Sequence, residues 1–323
     1  IPAPPSPGLY RAVISCSGAL ANGQQAYSLI ATGVEAPPPE PLSVSPDEGH
    51  AGPTALTVAG SGFAPGATVV FFREGCPEQA ARVDSIDTAA IGCTLDVTPM
   101  ALGAWNLRVV NADGRGGELR GAFTVVSAIA RYPFDPCAPG WTASAESGTS
   151  YWVLTNSASH TPSNAWFAPG PAVRNLDSLY SPGIAVPSRA SGLRLRFWHR
   201  YSTEVYDGCV LELSYDNGST WYDVEASGSG AAFVAEGYTS TIKRRTGTDK
   251  KWALLAGRAA WTGDSGASFA ETVVALDAAS FAGQVFRARW RLSTDAQTAS
   301  TGWWVDSVSL TGRLPPPTML IVR

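Results

Sequence analysis

The chain has 323 residues, a formal net charge of −4 and only 15% charged residues. This length is enough for two or three domains with sizeable cores, and a hydrophobic fraction of 45% excludes a disordered chain. The lack of a basic stripe argues against nucleic-acid binding, and no apolar run reaches the roughly 18 residues of a membrane span. The 33 glycines and 24 prolines indicate many turns.

Residues 1–33 contain two strand patterns, LYRAVIS and QAYSLIAT, which lie between Leu9 and Thr32. Two strands cannot bury a core alone, so this segment is predicted to dock on a later domain, to pair with another chain or to be the tail of a larger domain. The pattern Q-x-Y-S-L-I-x-T-G resembles the β-sandwich that follows the catalytic domain in secreted bacterial subtilisin-like proteases, and this resemblance implies the last strands of an incomplete β-sandwich. Residues 34–41 are rich in proline and are predicted to be an extended linker.

Residues 42–127 are predicted to form an all-β unit, because short strand patterns alternate there with turn residues. Ser45-Pro46, the GSGF segment at 60–63 and Trp105 resemble an IPT/TIG domain, and this resemblance implies an immunoglobulin-like sandwich. The glycines of the GSGF segment fit a tight bulge where a strand turns.

Residues 128–313 are predicted to form a larger β-domain. The segments FWHRYSTE at 197–204, YDGCVLELSYDNGSTW at 206–221 and GWWVDSVSLTG at 302–312 carry the pattern. They resemble jelly-roll modules related to MAM domains and to the C-terminal region of immune-inhibitor-A-type proteins. The predicted fold class is therefore all-β: an Ig-like β-sandwich followed by a jelly-roll β-sandwich, with an incomplete β-segment in front. Residues 314–323 are predicted to be a Pro-rich linker and the start of a further strand.

The run Ser-Tyr-Asp-Asn-Gly-Ser-Thr-Trp at 214–221 matches the S-x-D-x-G-x-T-W Asp box. This motif predicts a hairpin in which Asp216 caps the turn, Gly218 takes a positive φ and Trp221 packs beneath. One copy of the motif indicates a structural hairpin and not an active site.

Five cysteines make an odd count. Cys76 and Cys93 lie at a separation suited to a disulfide between adjacent strands, and a second bond between Cys137 and Cys209 is an open alternative to free thiols. Cys16 is then left over. Disulfides of this kind favour secretion, and the absence of a C-x-x-C motif argues against a zinc or redox site.

A structural calcium ion is one prediction for the larger domain, since jelly-roll modules often hold one. Asp135 precedes a long loop, Asp306 lies in the closing W-W-V-D strand, and Asp177 is a third candidate ligand. Calcium prefers such carboxylate oxygens together with backbone carbonyls. The alternative is that these acids cap turns or end strands.

A sugar-binding face is a second prediction for the larger domain, because tryptophan and tyrosine rings stack on sugars. Trp166, Trp261 and Trp252 are the candidate platforms, and Arg258 and Asp264 are the candidate polar contacts. The alternative is that these tryptophans form the core, as in other large β-sandwiches.

Catalysis is not predicted for this chain. The segment Ser147-Gly148-Thr149-Ser150 superficially matches a subtilisin nucleophile, but the residues after it read as a strand rather than a helix. A serine triad needs nucleophile, base and orienting carboxylate within hydrogen-bond reach. No segment of the sequence supplies the matching histidine and aspartate motifs.

The primary functional prediction is a non-catalytic, secreted accessory region of a subtilisin-like protease, which attaches the enzyme to a surface or substrate. One alternative is a structural or filament subunit whose copies pair through the segments from Leu9 to Thr32 and from Thr318 to Val322. Another is a carbohydrate-binding adhesin module. All three predict an extracellular protein or glycan as partner, and none predicts nucleic acid.

Overall fold

A computed structural model describes residues 37–245 and 252–314. This part of the chain is almost entirely β-structure, with 54% strand and 1% helix, which confirms the predicted all-β fold class. No helix in it combines the length and apolarity needed to cross a bilayer. The predicted strands at 1–33, the segment from Thr318 to Val322, and Cys16 lie outside the described residues.

The first half of the described chain forms one unit, here called the N-terminal sandwich. Its strands follow the order β1-β3-β6-β5-β4-β7-β8-β2. The long strand β5 pairs with β6 through one half and with β4 through the other, so it links two sheets. The strands are β1 (Glu40–Ser45), β2 (Glu48–Gly49), β3 (Pro53–Ser61), β4 (Thr68–Phe72), β5 (Gln79–Ile86), β6 (Ala90–Asp96), β7 (Gly103–Val110) and β8 (Gly116–Val125).

Period-two alternation builds the core of the N-terminal sandwich. In β7, for example, Trp105, Leu107 and Val109 point inward, while the residues between them are half-buried. Phe71 and Phe123 meet edge-to-face in this core, with ring centroids 5.6 Å apart. Burial of such large rings is the main source of stability for a sandwich of this size.

The second half forms a larger unit, the C-terminal sandwich. Its elements are β9 (Ser127–Tyr132), β10 (Thr142–Ser147), β11 (Val153–Thr155), β12 (Ala165–Gly170), β13 (Asn175–Tyr180), β14 (Ile184–Ala185), β15 (Ser191–Ser202), β16 (Gly208–Ser214), β17 (Tyr222–Asp223), β18 (Ala231–Ala235), β19 (Ser240–Thr241), β20 (Ala259–Ala260), β21 (Ala270–Leu276), α1 (Ala278–Phe281), β22 (Val285–Thr294) and β23 (Ser300–Arg313).

Two antiparallel sheets face each other in the C-terminal sandwich. Sheet I has the order β11-β12-β23-β15-β21-β18, with β9 also paired to β23. Sheet II has the order β10-β13-β22-β16-β17, with β14 also paired to β22. Their inner faces bury one core that includes Phe197, Trp261, Trp290 and Trp303. Because strand residues alternate between faces, each sheet also has an outer face free to carry other chemistry.

A loop layer covers part of the outer face of sheet II. Val210 and Leu176, which point outward from β16 and β13, pack with Ile242, Ala253 and Leu255 in a small second cluster.

The two sandwiches are joined directly. Strand β9 follows β8 after one residue and pairs antiparallel with the closing strand β23. Glu48 of the N-terminal sandwich also accepts a hydrogen bond from Arg196 of β15 at 2.7 Å. Arg196 is 7% exposed and contacts Glu271 on its other side, so this ion pair is largely shielded from water.

The two disulfides predicted from the cysteine spacing are not formed, and Cys76, Cys93, Cys137 and Cys209 are free thiols. Cys209 lies in the core while Cys137 is exposed, so one residue is in the interior and the other is at the surface. Cys93 lies mid-strand between β3 and β5, and Cys76 lies in the turn after β4. Burial raises the pKa of the Cys93 thiol to about 11, which keeps it protonated and unreactive.

Candidate functional site

The Asp box forms a compact hairpin between β16 and β17. Asp216 Oδ1 accepts hydrogen bonds from Ser214 Oγ at 2.7 Å and from the Thr220 amide at 2.8 Å. These bonds, led by the one from Ser214, lower the pKa of Asp216 to about 2. Gly218 has a φ of 92°, and a Cβ there would lie 3.3 Å from the Trp221 ring. Both bonds to Asp216 Oδ1 lie within the turn, which gives the motif a structural role.

The predicted sugar platforms are not exposed rings. Trp261 is 1% exposed and lies at the centre of the core, against Phe197, Tyr238 and His199. Trp166 points inward beside that core, because its partner in β23 is the buried Val305. The interpretation of these two residues as binding residues was therefore wrong: strand alternation turns both rings to the inside.

Trp252 and Arg258 are held by neighbouring groups. Trp252 is half-buried and lies 5.7 Å beneath the Arg244 guanidinium. Arg258 forms ion pairs with Glu212 and Asp223, so its charge is already compensated. Of the predicted contact residues, Asp264 alone is exposed beside an open cleft.

Charged side chains, rather than open aromatic rings, dominate the outer face of sheet II. Arg289 and Arg291 point outward from β22 and pair with Glu212, as does Arg258. Burial alone would raise the pKa of Glu212, but these three arginines outweigh it and hold that pKa below its usual value. Glu146 also pairs with Arg289 and Arg291, so three arginines face the three acids Glu212, Asp223 and Glu146 across the sheet.

A different set of aromatic side chains lines the outer face of sheet I. Four strands contribute one residue each to a continuous row: Val153 in β11, Phe167 in β12, Trp304 in β23 and Arg200 in β15. The register pairs Val153 with Phe167, Phe167 with Trp304 and Trp304 with Arg200. Phe269, just before β21, extends the row. With strands about 4.8 Å apart, the four paired positions span about 14 Å.

The row is partly open to solvent. Val153 is 51% exposed and Phe167 and Arg200 are half-buried, but Trp304 is only 6% exposed because its neighbours in the row cover it. The Arg200 guanidinium lies 4.2 Å above the Trp304 ring and 5.8 Å from the Phe269 ring. The Phe167 and Trp304 rings are 4.3 Å apart. The result is a strip of ring faces and one cation, which sequence reasoning missed.

A cleft of about 320 Å³ opens beside this row. Arg200 Nη1 donates to the Ala267 carbonyl at 2.9 Å, which leaves most of the guanidinium N–H groups available. Asp264, which also lines the cleft, accepts from the Gly266 amide through Oδ1 at 2.7 Å and from Ser202 Oγ through Oδ2 at 3.5 Å. The lining residues are Arg200, Tyr201, Ser202, Asp264, Gly266, Ala267, Thr301 and Trp304.

The next row of sheet I continues the aromatic surface. The exposed His160 ring stacks on Trp198 with centroids 3.8 Å apart and an interplanar angle of 6°. Partial burial lowers the pKa of His160 below its usual value, so the imidazole is neutral at pH 7. The outer face therefore carries two neighbouring rows of rings.

The structure brings together two of the three predicted calcium ligands. Asp306 accepts hydrogen bonds from the His160 and Thr161 amides at 2.7 and 3.0 Å, and Asp135 accepts from the Asn164 amide at 2.7 Å. Burial raises the pKa of Asp306, and the nearby charge of Asp135 adds to this. A calcium ion between these two carboxylates stays a prediction.

Asp177 lies apart from that pair. Its carboxylate accepts hydrogen bonds from Ser150 Oγ at 2.9 Å and from the Tyr151 and Trp152 amides. It therefore anchors the segment before β11 to β13, which contradicts its assignment to the same ion as Asp306.

A serine triad is not assembled in residues 37–245 and 252–314. Ser150, the superficial nucleophile candidate, donates to Asp177. His199 is buried, with Trp303 Nε1 donating to its Nδ1 at 3.1 Å and Thr272 Oγ1 2.9 Å from its Nε2. Burial lowers the pKa of His199 to about 3, so this imidazole serves as a neutral core group.

No family model matches the chain, and no curated protein matches it. Among solved structures, a carbohydrate-binding module from the β-sandwich superfamily is 12% identical, with 86% of this chain and 99% of that module covered and a TM-score of 0.41. A carbohydrate-binding module solved with β-1,4-galactotriose is 12% identical, with 57% and 97% covered and a TM-score of 0.36.

The K1 cleaved adhesin domain of Lys-gingipain from Porphyromonas gingivalis W83 is 13% identical, with 56% of this chain and 96% of that domain covered and a TM-score of 0.32. These distant likenesses carry no function to this chain. The resemblances to IPT/TIG domains, to MAM-like modules and to the region after a subtilisin-like catalytic domain stay predictions.

Proposed function

We propose that this chain is a non-catalytic, extracellular carbohydrate-binding module whose sugar site is the cleft beside Arg200, Asp264 and Trp304. The observation that supports this most is the row of ring faces along the outer face of sheet I, with polar side chains at one end. Binding sites for small polar ligands combine apolar walls with a few fixed hydrogen-bonding groups. This arrangement has both.

The chemistry of the cleft suits a sugar chain. A pyranose ring presents C–H groups on one face, which pack on the half-buried Phe167 ring, and hydroxyl groups at its edge. The Arg200 guanidinium donates to such hydroxyls, and the Asp264 carboxylate accepts from them. A row of about 14 Å, from Val153 to Arg200, fits an extended oligosaccharide better than a single sugar unit.

The test is a glycan-array screen of the full chain, followed by isothermal titration calorimetry with the best oligosaccharide. Arg200→Ala is expected to weaken binding at least about tenfold, since it removes the charged donor of the cleft. Asp264→Asn is expected to weaken it less, because the amide still accepts one hydrogen bond.

Arg108→Ala is the matched control. Arg108 also lies over an aromatic ring, 5.1 Å from Phe72, but in the N-terminal sandwich, so this variant should bind like the wild type. Failure of the wild type to bind any glycan, or equal affinity of Arg200→Ala and the wild type, would refute the proposal.

Whether the module assists a protease is a separate question from whether it binds a sugar. An accessory role beside a subtilisin-like protease depends on the motif at 25–33, which lies outside the described residues, as do both segments predicted to pair between copies. A carbohydrate-binding role rests on side chains that the structure describes, and for that reason we favour it over attachment through self-pairing strands.

A further inference from the structure

Three acidic residues meet at one end of sheet II. Glu204 follows β15, Asp207 precedes β16, and Asp295 follows β22. The antiparallel pairing of β16 with β22 places Gly208 opposite Ser293, and so brings the neighbours of these two residues together. Each of the three acids offers a carboxylate oxygen, and these oxygens lie within 4.8 Å of one another.

The central carboxylate of this cluster is incompletely bonded. Asp207 is 0% exposed, and its Oδ1 accepts a hydrogen bond from the Asp295 amide at 2.7 Å. Its Oδ2 is buried and has no hydrogen-bond partner in the described structure. A buried carboxylate oxygen without a partner is costly, so a site of this kind calls for a bound cation or proton.

The protein supplies one positive charge to the cluster. Arg245 forms ion pairs with Glu204 and Asp295, and its guanidinium lies 3.9 Å above the Tyr206 ring. When all three carboxylates are ionised, one guanidinium leaves an excess of two negative charges. Asp295, like Asp207, is almost fully buried, so water screens this excess poorly.

We propose that Glu204, Asp207 and Asp295 bind one divalent cation, of which calcium is the best match. All three donors are hard oxygen ligands, and calcium accepts irregular sets of carboxylates better than magnesium does. A charge of +2 neutralises the excess, and the ion gives Asp207 Oδ2 the partner that it lacks. The cluster offers no nitrogen or sulfur ligand, which disfavours zinc.

The ion would have a structural role. It fastens the turn between β15 and β16 to the end of β22, and these elements are otherwise joined there by the Asp207–Asp295 hydrogen bond and by Arg245. The inference stands apart from the proposed sugar site and from the Asp135–Asp306 pair, since none of those side chains belongs to this cluster.

The experiment uses the full chain after chelation and dialysis. Thermal unfolding is measured in EDTA and in 1 mM calcium chloride, with magnesium chloride as a comparison. Calcium is expected to raise the Tm by roughly 5–10 °C, the scale for a ligand at about a hundred times its Kd, and magnesium is expected to raise it far less. Terbium luminescence, sensitised by Tyr206, reports occupation of the same site.

Asp207→Asn is the decisive variant, because it removes one charge while keeping the shape and the Oδ1 acceptor. It is expected to abolish the calcium-dependent rise in Tm while leaving the Tm in EDTA equal to or above that of the wild type. Glu204→Gln is expected to weaken terbium binding at least about tenfold. Because Glu204 is only half-buried, this second variant tests the site if Asp207→Asn fails to fold.

Asp135→Asn is the control and is expected to keep the calcium response. The proposal is overturned if the wild type shows no calcium response, or if Asp207→Asn retains the whole of it. Loss of the response in Asp135→Asn with retention in Asp207→Asn would place the ion at the other pair of carboxylates, and would overturn it equally.

Discussion

The hydrogen bonds around His199 fix its tautomer. Since Trp303 Nε1 donates to Nδ1, the ring proton is on Nε2 and donates to Thr272 Oγ1, whose hydroxyl donates in turn to the Glu236 carbonyl at 2.8 Å. A second proton on Nδ1 would face the Trp303 N–H group. The imidazole is therefore built into the core in its neutral form.

This burial makes stability depend on pH in a predictable direction. The pKa of His199 is about 3 in the folded state and about 6.5 in the unfolded state. Between these two pH values His199 is protonated in the unfolded chain but not in the folded chain. The contribution of His199 to the free energy of unfolding should then fall by about 1.4 kcal/mol per pH unit.

His199→Gln isolates this effect, because glutamine keeps one donor and one acceptor but does not titrate. The wild type should be more stable than the variant at pH 7.5, and this difference should shrink by about 2 kcal/mol by pH 5. Urea unfolding across this pH range measures it, since carboxylates common to both proteins cancel. A difference that stays constant with pH would show that His199 is protonated in the fold.

At the scale of single strands, β23 departs from regular pairing where it reaches β12. The register shifts between Ala168 and Gly170, and Gly302 of β23 has a φ of 120°. A Cβ at Gly302 would lie 2.1 Å from the Ala168 carbonyl oxygen. Backbone atoms cannot move aside as a flexible side chain can, so only glycine fits at this bulge.

Gly302→Ala is therefore expected to lower the free energy of unfolding by at least about 3 kcal/mol. Gly228→Ala is the matched control: Gly228 has a φ of 81°, but a Cβ there would meet nothing within 4 Å. It should lose only about 1 kcal/mol through its backbone conformation. Equal losses in denaturant unfolding would contradict the predicted clash.

The strands of this fold were largely predictable, and its sites were not. Alternation is a local property of the strand, so the sequence alone separates His199 and Tyr201, which point inward, from Trp198 and Arg200, which point outward. The same rule says that one ring of Trp303-Trp304 faces out. The sequence does not say which of the two rings faces out or that this ring meets Arg200. Both depend on the pairing of β15 with β23, which are about a hundred residues apart in the chain.

The complete acidic cluster, with its third member Asp295, was beyond sequence reasoning for the same reason. Glu204 and Asp207 are near each other in the chain, but Asp295 joins them from 88 residues away. The disulfide prediction failed on a related point, since cysteine spacing says nothing of whether a side chain points inward. Cys209 points into the core because β16 alternates, while Cys137 sits in an exposed loop.

At the scale of the whole molecule, the ion pair between Glu48 and Arg196 holds the two sandwiches together. Glu48→Gln removes the charge of the acceptor and leaves Arg196 with Glu271 alone. We expect this change to lower the free energy of unfolding by about 1–2 kcal/mol and to broaden the distribution of inter-sandwich distances. Small-angle scattering and spin-label distance measurements test the second effect.

Glu78→Gln is the control for that variant. Glu78 also lies beside an arginine, 2.6 Å from Arg108, but its side chain is 53% exposed and both residues belong to the N-terminal sandwich. Its change should cost less than about 0.5 kcal/mol and should leave the distances as they were. Identical distance distributions for Glu48→Gln and the wild type would mean that strand β9 alone fixes the joint.

The pairing of β9 with β23 has a mechanical consequence. Ser127, where the chain enters the C-terminal sandwich, is the partner of Gly312, where it leaves. Tension along the chain would pull these two residues apart from the same end of an antiparallel pair. The hydrogen bonds between β9 and β23 would then break one after another instead of all at once. This sandwich should therefore begin to unfold under a low force.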